Sequence, residues 1–114
     1  MSASVFEKYL DAAKKHGAAS RDGDHKAANK AHKTLMMALK ELRAEPDKGV
    51  DCLNKLLAYP DSFVICWAAT HLLPLSEEKA KAALQSLAED ETDLAAFNAK
   101  MVLREWDAGR LKVE

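Results

Sequence analysis

Apolar residues recur every three or four positions along most of the chain, the spacing that gathers them on one face of an α-helix. Val5, Tyr9, Ala12 and Ala13 make the first such stripe, and Gly17 is placed to close it in a left-handed C-cap. Asp22 or Asp24 is positioned to cap a long second helix whose inner face carries Ala28, Ala31, Leu35, Leu39 and Leu42. Pro46 and Gly49 interrupt the chain before a third helix with Val50, Leu53, Leu56 and Leu57. Pro60-Asp61 reads as a stop followed by an N-cap, and the fourth helix then runs to Pro74. Ser76 is the expected cap of a fifth helix (Ala80, Ala83, Leu84, Leu87). The acidic Glu89-Asp90-Glu91 separates it from a sixth, Leu94 to Trp106, which Gly109 stops. No β-branched run alternates with period two, and no Asn-Gly turn is present. The pattern predicts one all-α domain over residues 1–114, six helices in about three antiparallel pairs.

The fourth helix departs from the rest. Phe63 to Ala69 is unbroken by a polar residue and contains Trp67, whereas a surface helix ordinarily keeps one face polar. A shift of the chain by about 30 positions aligns Leu57-Ala58 with Leu87-Ala88, Val64 with Leu94, Ala69 with Ala99 and Leu73 with Leu103. One helix pair per 30 residues is the period of αα-solenoids, in which each pair has too little core to stand alone and stacks on the next. The expected fold is a short right-handed αα-superhelix of the HEAT-like kind.

The chain of 114 residues is 48% apolar and 31% charged, a globular balance with room for a modest core. The longest apolar run falls well short of the roughly 18 residues of a membrane span, so no membrane association is expected. The N-terminal MSASVFEKYL places Glu7 where a secretory signal would be basic and then apolar, so no such signal is read. Cys52 and Cys66 provide no disulfide framework, which fits a reducing, cytoplasmic setting. The net charge is −1, but residues 1–57 hold 11 bases against 8 acids and residues 58–114 hold 6 against 10.

Three stretches carry a resemblance: DGDHKAANKAHKTLMMALKELR, LNKLLAYPDSFVICWAATHLL and AFNAKMVLREWDAGRL. Their order and spacing, with Gly23-Asp24, Asn29, Val64, Ala68, Ala69, Ala99, Leu103, Asp107 and Gly109 as fixed points, resemble a family of short bacterial HEAT-like proteins. The family has long been described only as a domain of unknown function, and the likeness runs from about Phe6 to Leu111. The resemblance implies a cytoplasmic binding module. Members recur beside toxin genes and are taken to be immunity proteins, so the implied partner is a cognate toxin protein, with a nuclease among the candidates. Where the family tends to carry polar residues after the fourth-helix valine, this chain has Ile65 and Trp67.

At 100° per residue, Val64, Ala68, Leu72 and Ile65 share one sector of the fourth helix, the expected core side, and Phe63, Cys66, Trp67 and Thr70 share another. The 30-residue shift places Trp67 over Phe97, Thr70 over Lys100 and Phe63 over Asp93. Phe63, Trp67, Phe97, Lys100 and Arg104 are therefore the candidate partner contacts, with Trp67 as the aromatic anchor. The alternative for Trp67 is ordinary packing between repeats. Glu89, Asp90, Glu91 and Asp93 are a second candidate, able to steer a basic partner or occupy a phosphate groove, and the alternative is a helix start with carboxylates at its positive end. Lys26, Lys30, Lys33 and Lys40, with His25 and His32, form a basic stripe that suits phosphate or an acidic protein, or is simply a solvated face. The near-neutral total weighs against nucleic acid.

Metal and catalytic chemistry find no support in the sequence. His25 and His32 lie about 10 Å apart along a helix, too far to share one ion. Asp22-Gly23-Asp24 lacks the alternating ligands and closing glutamate of a calcium loop. The four histidines precede Gly17, Lys26, Lys33 and Leu72, so the His-Glu pairs of the iron-binding HEAT-fold enzymes do not occur. No phosphate-binding glycine loop or nucleophile elbow is present. A non-catalytic protein without cofactor or metal is expected. Two other readings stay open: a nucleic-acid-associated protein using the lysine stripe, and a homodimeric scaffold closed through the apolar ridge.

Overall fold

In the computed structural model, residues 5–90 and 93–111 are described. They form six helices: α1 (Val5–Asp22), α2 (His25–Ala44), α3 (Pro46–Leu56), α4 (Ser62–Leu72), α5 (Glu77–Glu89) and α6 (Leu94–Asp107). No strand occurs among the described residues. The chain divides into two compact units, Met1–Cys52 and Leu53–Glu114, with the division falling inside α3.

In the first unit α1 packs along α2. Gly17 does not end α1; it lies buried in mid-helix, and the helix continues to Asp22. The left-handed residue is Gly23, at φ 71°, and Asp24 N–H donates back to the Ala19 carbonyl at 2.9 Å to close the turn. Asp24 then begins α2, its carboxylate accepting from Ala27 N–H at 3.0 Å. Three short-side-chain or glycine positions in a row thus make a one-turn reversal, and Tyr9, Ala13, Leu35 and Leu39 close the core between the two helices. Gly49 is likewise helical rather than a break: α3 starts at Pro46, whose fixed φ suits a first helical position.

In the second unit α5 packs against both α4 and α6, and α4 also touches α6. Asp61 caps α4, accepting from the N–H groups of Phe63 (3.0 Å) and Val64 (3.4 Å). Ser76 stands at the start of α5, but its side chain makes no capping bond; Glu77 and Glu78 in the first turn meet the positive helix end instead. Asp93 caps α6 through Ala95 N–H at 2.9 Å. Gly109, at φ 74°, ends α6, with Arg110 N–H donating to the Glu105 carbonyl at 2.9 Å. A Lys81–Asp107 ion pair at 2.8 Å links α5 to α6.

The composition of α4 follows from its surroundings. Phe63, Val64, Cys66, Ala68, Ala69, His71 and Leu72 are buried, while Ile65, Trp67 and Thr70 are half-buried; no residue of the helix is fully exposed. Burial pushes the Cys66 thiol up to about 11, the Asp93 carboxylate adds to this, and the Thr70 hydroxyl acts in the opposite direction. A thiol at that value is neutral near pH 8 and a poor nucleophile. A thiol reagent is therefore expected to label the half-buried Cys52 in the native chain and to reach Cys66 only on unfolding. A Cys52→Ser chain that labelled as quickly as the parent would contradict this.

Candidate functional site

The residues singled out in the sequence separate by burial. Phe63 is 3% exposed, so its ring belongs to the core and is withdrawn from the candidate surface. Its sector of α4 is not free because a helix packed by several neighbours buries more than the 100° face assumed for a surface helix. Trp67 is half-buried, its indole tilted against the buried His71 ring with centroids 5.5 Å apart. Among the described residues no buried side-chain nitrogen or oxygen lacks a hydrogen-bond partner, so the polar atoms of α4 are accounted for in place.

On α6 the picture reverses. Phe97 is 66% exposed, and Leu94 and Met101, which the sequence reading did not include in the site, are 59% and 47% exposed. Positions 94, 97 and 101 follow the i, i+3, i+7 spacing of one helix face. The opposite face holds the buried Ala95, Ala96 and Ala99 with half-buried Val102, Leu103 and Trp106. The helix thus carries two apolar stripes, a small-residue stripe facing inward and a bulky one facing out. The same spacing was visible in the sequence; which stripe turns inward was not. Alanines let helix axes approach closely, and the alanine stripe is the buried side of a helix that packs against α4 and α5. Lys100 and Arg104 lie on the outer face, both exposed.

Glu89 and Asp90 are exposed, Asp93 is half-buried and engaged as the α6 cap, and Glu91 lies outside the described residues. For Asp93 the helix-start reading is the one observed.

In the first unit, Lys26, Lys30, Lys33 and Lys40 are all exposed along α2, as are His25 and His32. An open groove of about 370 Å³ runs beside them between α1 and α2, floored by Ala12, Ala19 and Ala31 and edged by the Asp11–Lys15 ion pair at 2.9 Å. Such a floor of small side chains is what two closely approaching helices leave behind.

His16 on α1 faces His32 on α2 with ring centroids 6.3 Å apart, and the Ser20 hydroxyl lies 3.5 Å from His16 Nδ1. Burial first, and the neighbouring His32 second, hold the His16 pKa below its ordinary 6.5. The neutral ring is thus favoured by folding. Its contribution to stability is complete above pH 6.5 and declines as pH falls from there through the lower folded-state value. The His16 Hε1 resonance is expected to titrate with a midpoint below 6.5, and His16→Gln should flatten the stability profile on the acid side of pH 6.5. A midpoint at or above 6.5 would remove this account. Among the described residues, no group of three or more His, Cys, Asp or Glu is arranged to hold a metal ion. No helix among them is long and apolar enough to cross a membrane.

A family described as a domain of unknown function, DUF2019, matches residues 5–107, across both units, and the chain belongs to it. The crystal structure of the protein RPA1889 from Rhodopseudomonas palustris CGA009 is similar, with a TM-score of 0.87 at 21% identity over 96% of this chain and 91% of that one. Likeness at that identity speaks for the fold. No curated protein matches the chain.

Proposed function

We propose that this DUF2019 member is a non-catalytic protein-binding module that acts as an immunity protein, neutralising a cognate bacterial toxin in the cytoplasm. The observation that carries the binding role is the outer face of α6, where Leu94, Phe97 and Met101 stand in one exposed line. Large apolar side chains kept in water without a local structural use mark interaction surfaces. The toxin as partner rests on the resemblance described above, and on that alone. The HEAT-like character of the helix pairs belongs to the same proposal, supported by the 30-residue offset that makes α4 and α6 equivalent positions. Trp67 is a secondary contact, since most of its surface serves packing.

The test is co-expression of the adjacent gene's product, or its C-terminal domain, in bacteria with and without this chain. Toxicity relieved by the parent chain and not by Phe97→Asp, at equal levels of folded protein, is the expected result. Phe97 is 66% exposed, so the substitution is expected to leave stability within about 0.5 kcal/mol, as surface changes usually do. A product that is harmless alone, or toxic despite abundant chain, would dismiss the immunity reading.

A further inference from the structure

We infer that the outer face of α6 receives a protein segment whose apolar ridge is edged by carboxylates, and this rests on the protein-binding reading above. At 100° and 1.5 Å per residue, with Phe97 as origin, Met101 lies at about +40° and Leu94 at about +60°, while Arg104 lies at about −20° and Lys100 at about −60°. The face is therefore an apolar strip roughly 10 Å long with both of its cations on one side. Neither Lys100 nor Arg104 is within ion-pair distance of a carboxylate among the described residues. Glu105, the acid at the opposite edge, is engaged by Arg110 at 2.8 Å. Arg110 also holds the Glu105 carboxyl below its ordinary range.

Charge decides between the possible occupants. A second copy of this chain, meeting the face about a two-fold axis, would bring two Lys100 and two Arg104 into one interface. Like charges at about 4 Å repel by roughly 1 kcal/mol in water and about 4 kcal/mol near a protein surface, against the same apolar gain any partner offers. A single nucleic-acid strand would use the cations, but such surfaces stack successive bases on several aromatics, and Phe97 is the one ring on this strip. A protein segment with an apolar ridge covers Leu94, Phe97 and Met101 and places acids against Lys100 and Arg104. Those two cations are four residues apart, about 6 Å along the axis, the spacing of acids at i and i+4 on a facing helix.

The experiment measures association of the purified chain with the adjacent gene's product over a range of salt, for the parent, Phe97→Asp, and the double variant Lys100→Glu with Arg104→Glu. All three positions are exposed, and circular dichroism confirms that each variant is folded. The expected result is at least about 100-fold weaker binding for Phe97→Asp. The double variant should associate at least about 10-fold more slowly at low salt, and that difference should shrink as salt rises. Loss on Phe97→Asp with an unchanged rate for the double variant overturns the acidic edge and leaves protein binding standing. Full binding by Phe97→Asp, or no complex with that product, overturns both. A dimer in light scattering that Phe97→Asp dissociates, or oligothymidylate binding that Phe97→Asp abolishes, overturns the assignment in favour of a second copy or a nucleic acid.

Discussion

Leu72→Ala should destabilise the second unit by about 2–5 kcal/mol, the range for buried leucine truncations in which the lost transfer energy and the remaining cavity act together. Leu72 is fully buried near the end of α4, a helix surrounded closely enough that none of its residues is fully exposed. Its neighbours in that unit are held in place, α6 by its Asp93 cap and α5 to α6 by the Lys81–Asp107 pair, which limits how far they can collapse into the vacated volume. The upper half of the range is therefore expected. The same truncation at Leu94, 59% exposed, should change stability by no more than about 0.5 kcal/mol. Urea denaturation of the two variants measures the contrast. A Leu72→Ala chain losing less than about 1 kcal/mol would mean that the helices around α4 repack freely.

Gly49→Ala carries the second large effect, and two terms oppose each other. Alanine is favoured over glycine within a helix by about 1 kcal/mol. Against this, a β-carbon at Gly49 would stand 2.5 Å from the Leu42 carbonyl oxygen and 3.1 Å from its carbon. Those atoms are backbone at the end of α2, so no rotamer change relieves the clash. Overpacking of this kind costs about 1–3 kcal/mol or more. The fourth position of a helix also gains less than its middle, so the clash wins and the net change is a loss. Gly23→Ala tests the contrasting cause. A β-carbon there meets nothing within 4 Å, and its cost is conformational, since φ is +71°. If Gly49→Ala raised the urea midpoint, the close passage of α3 over the end of α2 would be wrong.

The lowered pKa of His16 and the neutral Cys66 thiol bear on solution conditions rather than on function. Binding assays belong above pH 6.5, where the folded state is not opposed by protonation of His16.

The helices themselves were legible in the sequence, because each is specified by interactions within a few residues. Apolar spacing, Asp61 as a cap and Gly109 as a stop act locally and were read directly; Asp24 was one of two candidate caps, Asp93 was read only within an acidic helix start, and Ser76, read as the cap of α5, makes no capping bond. Where local signs competed, the sequence could not arbitrate. Gly17 and Gly49 look like breaks, yet both sit inside helices, since glycine's lack of a side chain serves close packing as readily as a turn. The functional face shows the same limit. Phe97 and Lys100 were identified from the repeat offset, with Arg104 named beside them, but Phe63 came with them and is buried, while Leu94 and Met101 were passed over and are exposed. An apolar stripe states that a helix has something to cover, and α6 has two. Only the packing of α6 within its unit, against α4 and α5, decided which stripe was core and which was left in water, because burial is settled by what a neighbouring helix occupies and not by the residues of the helix alone.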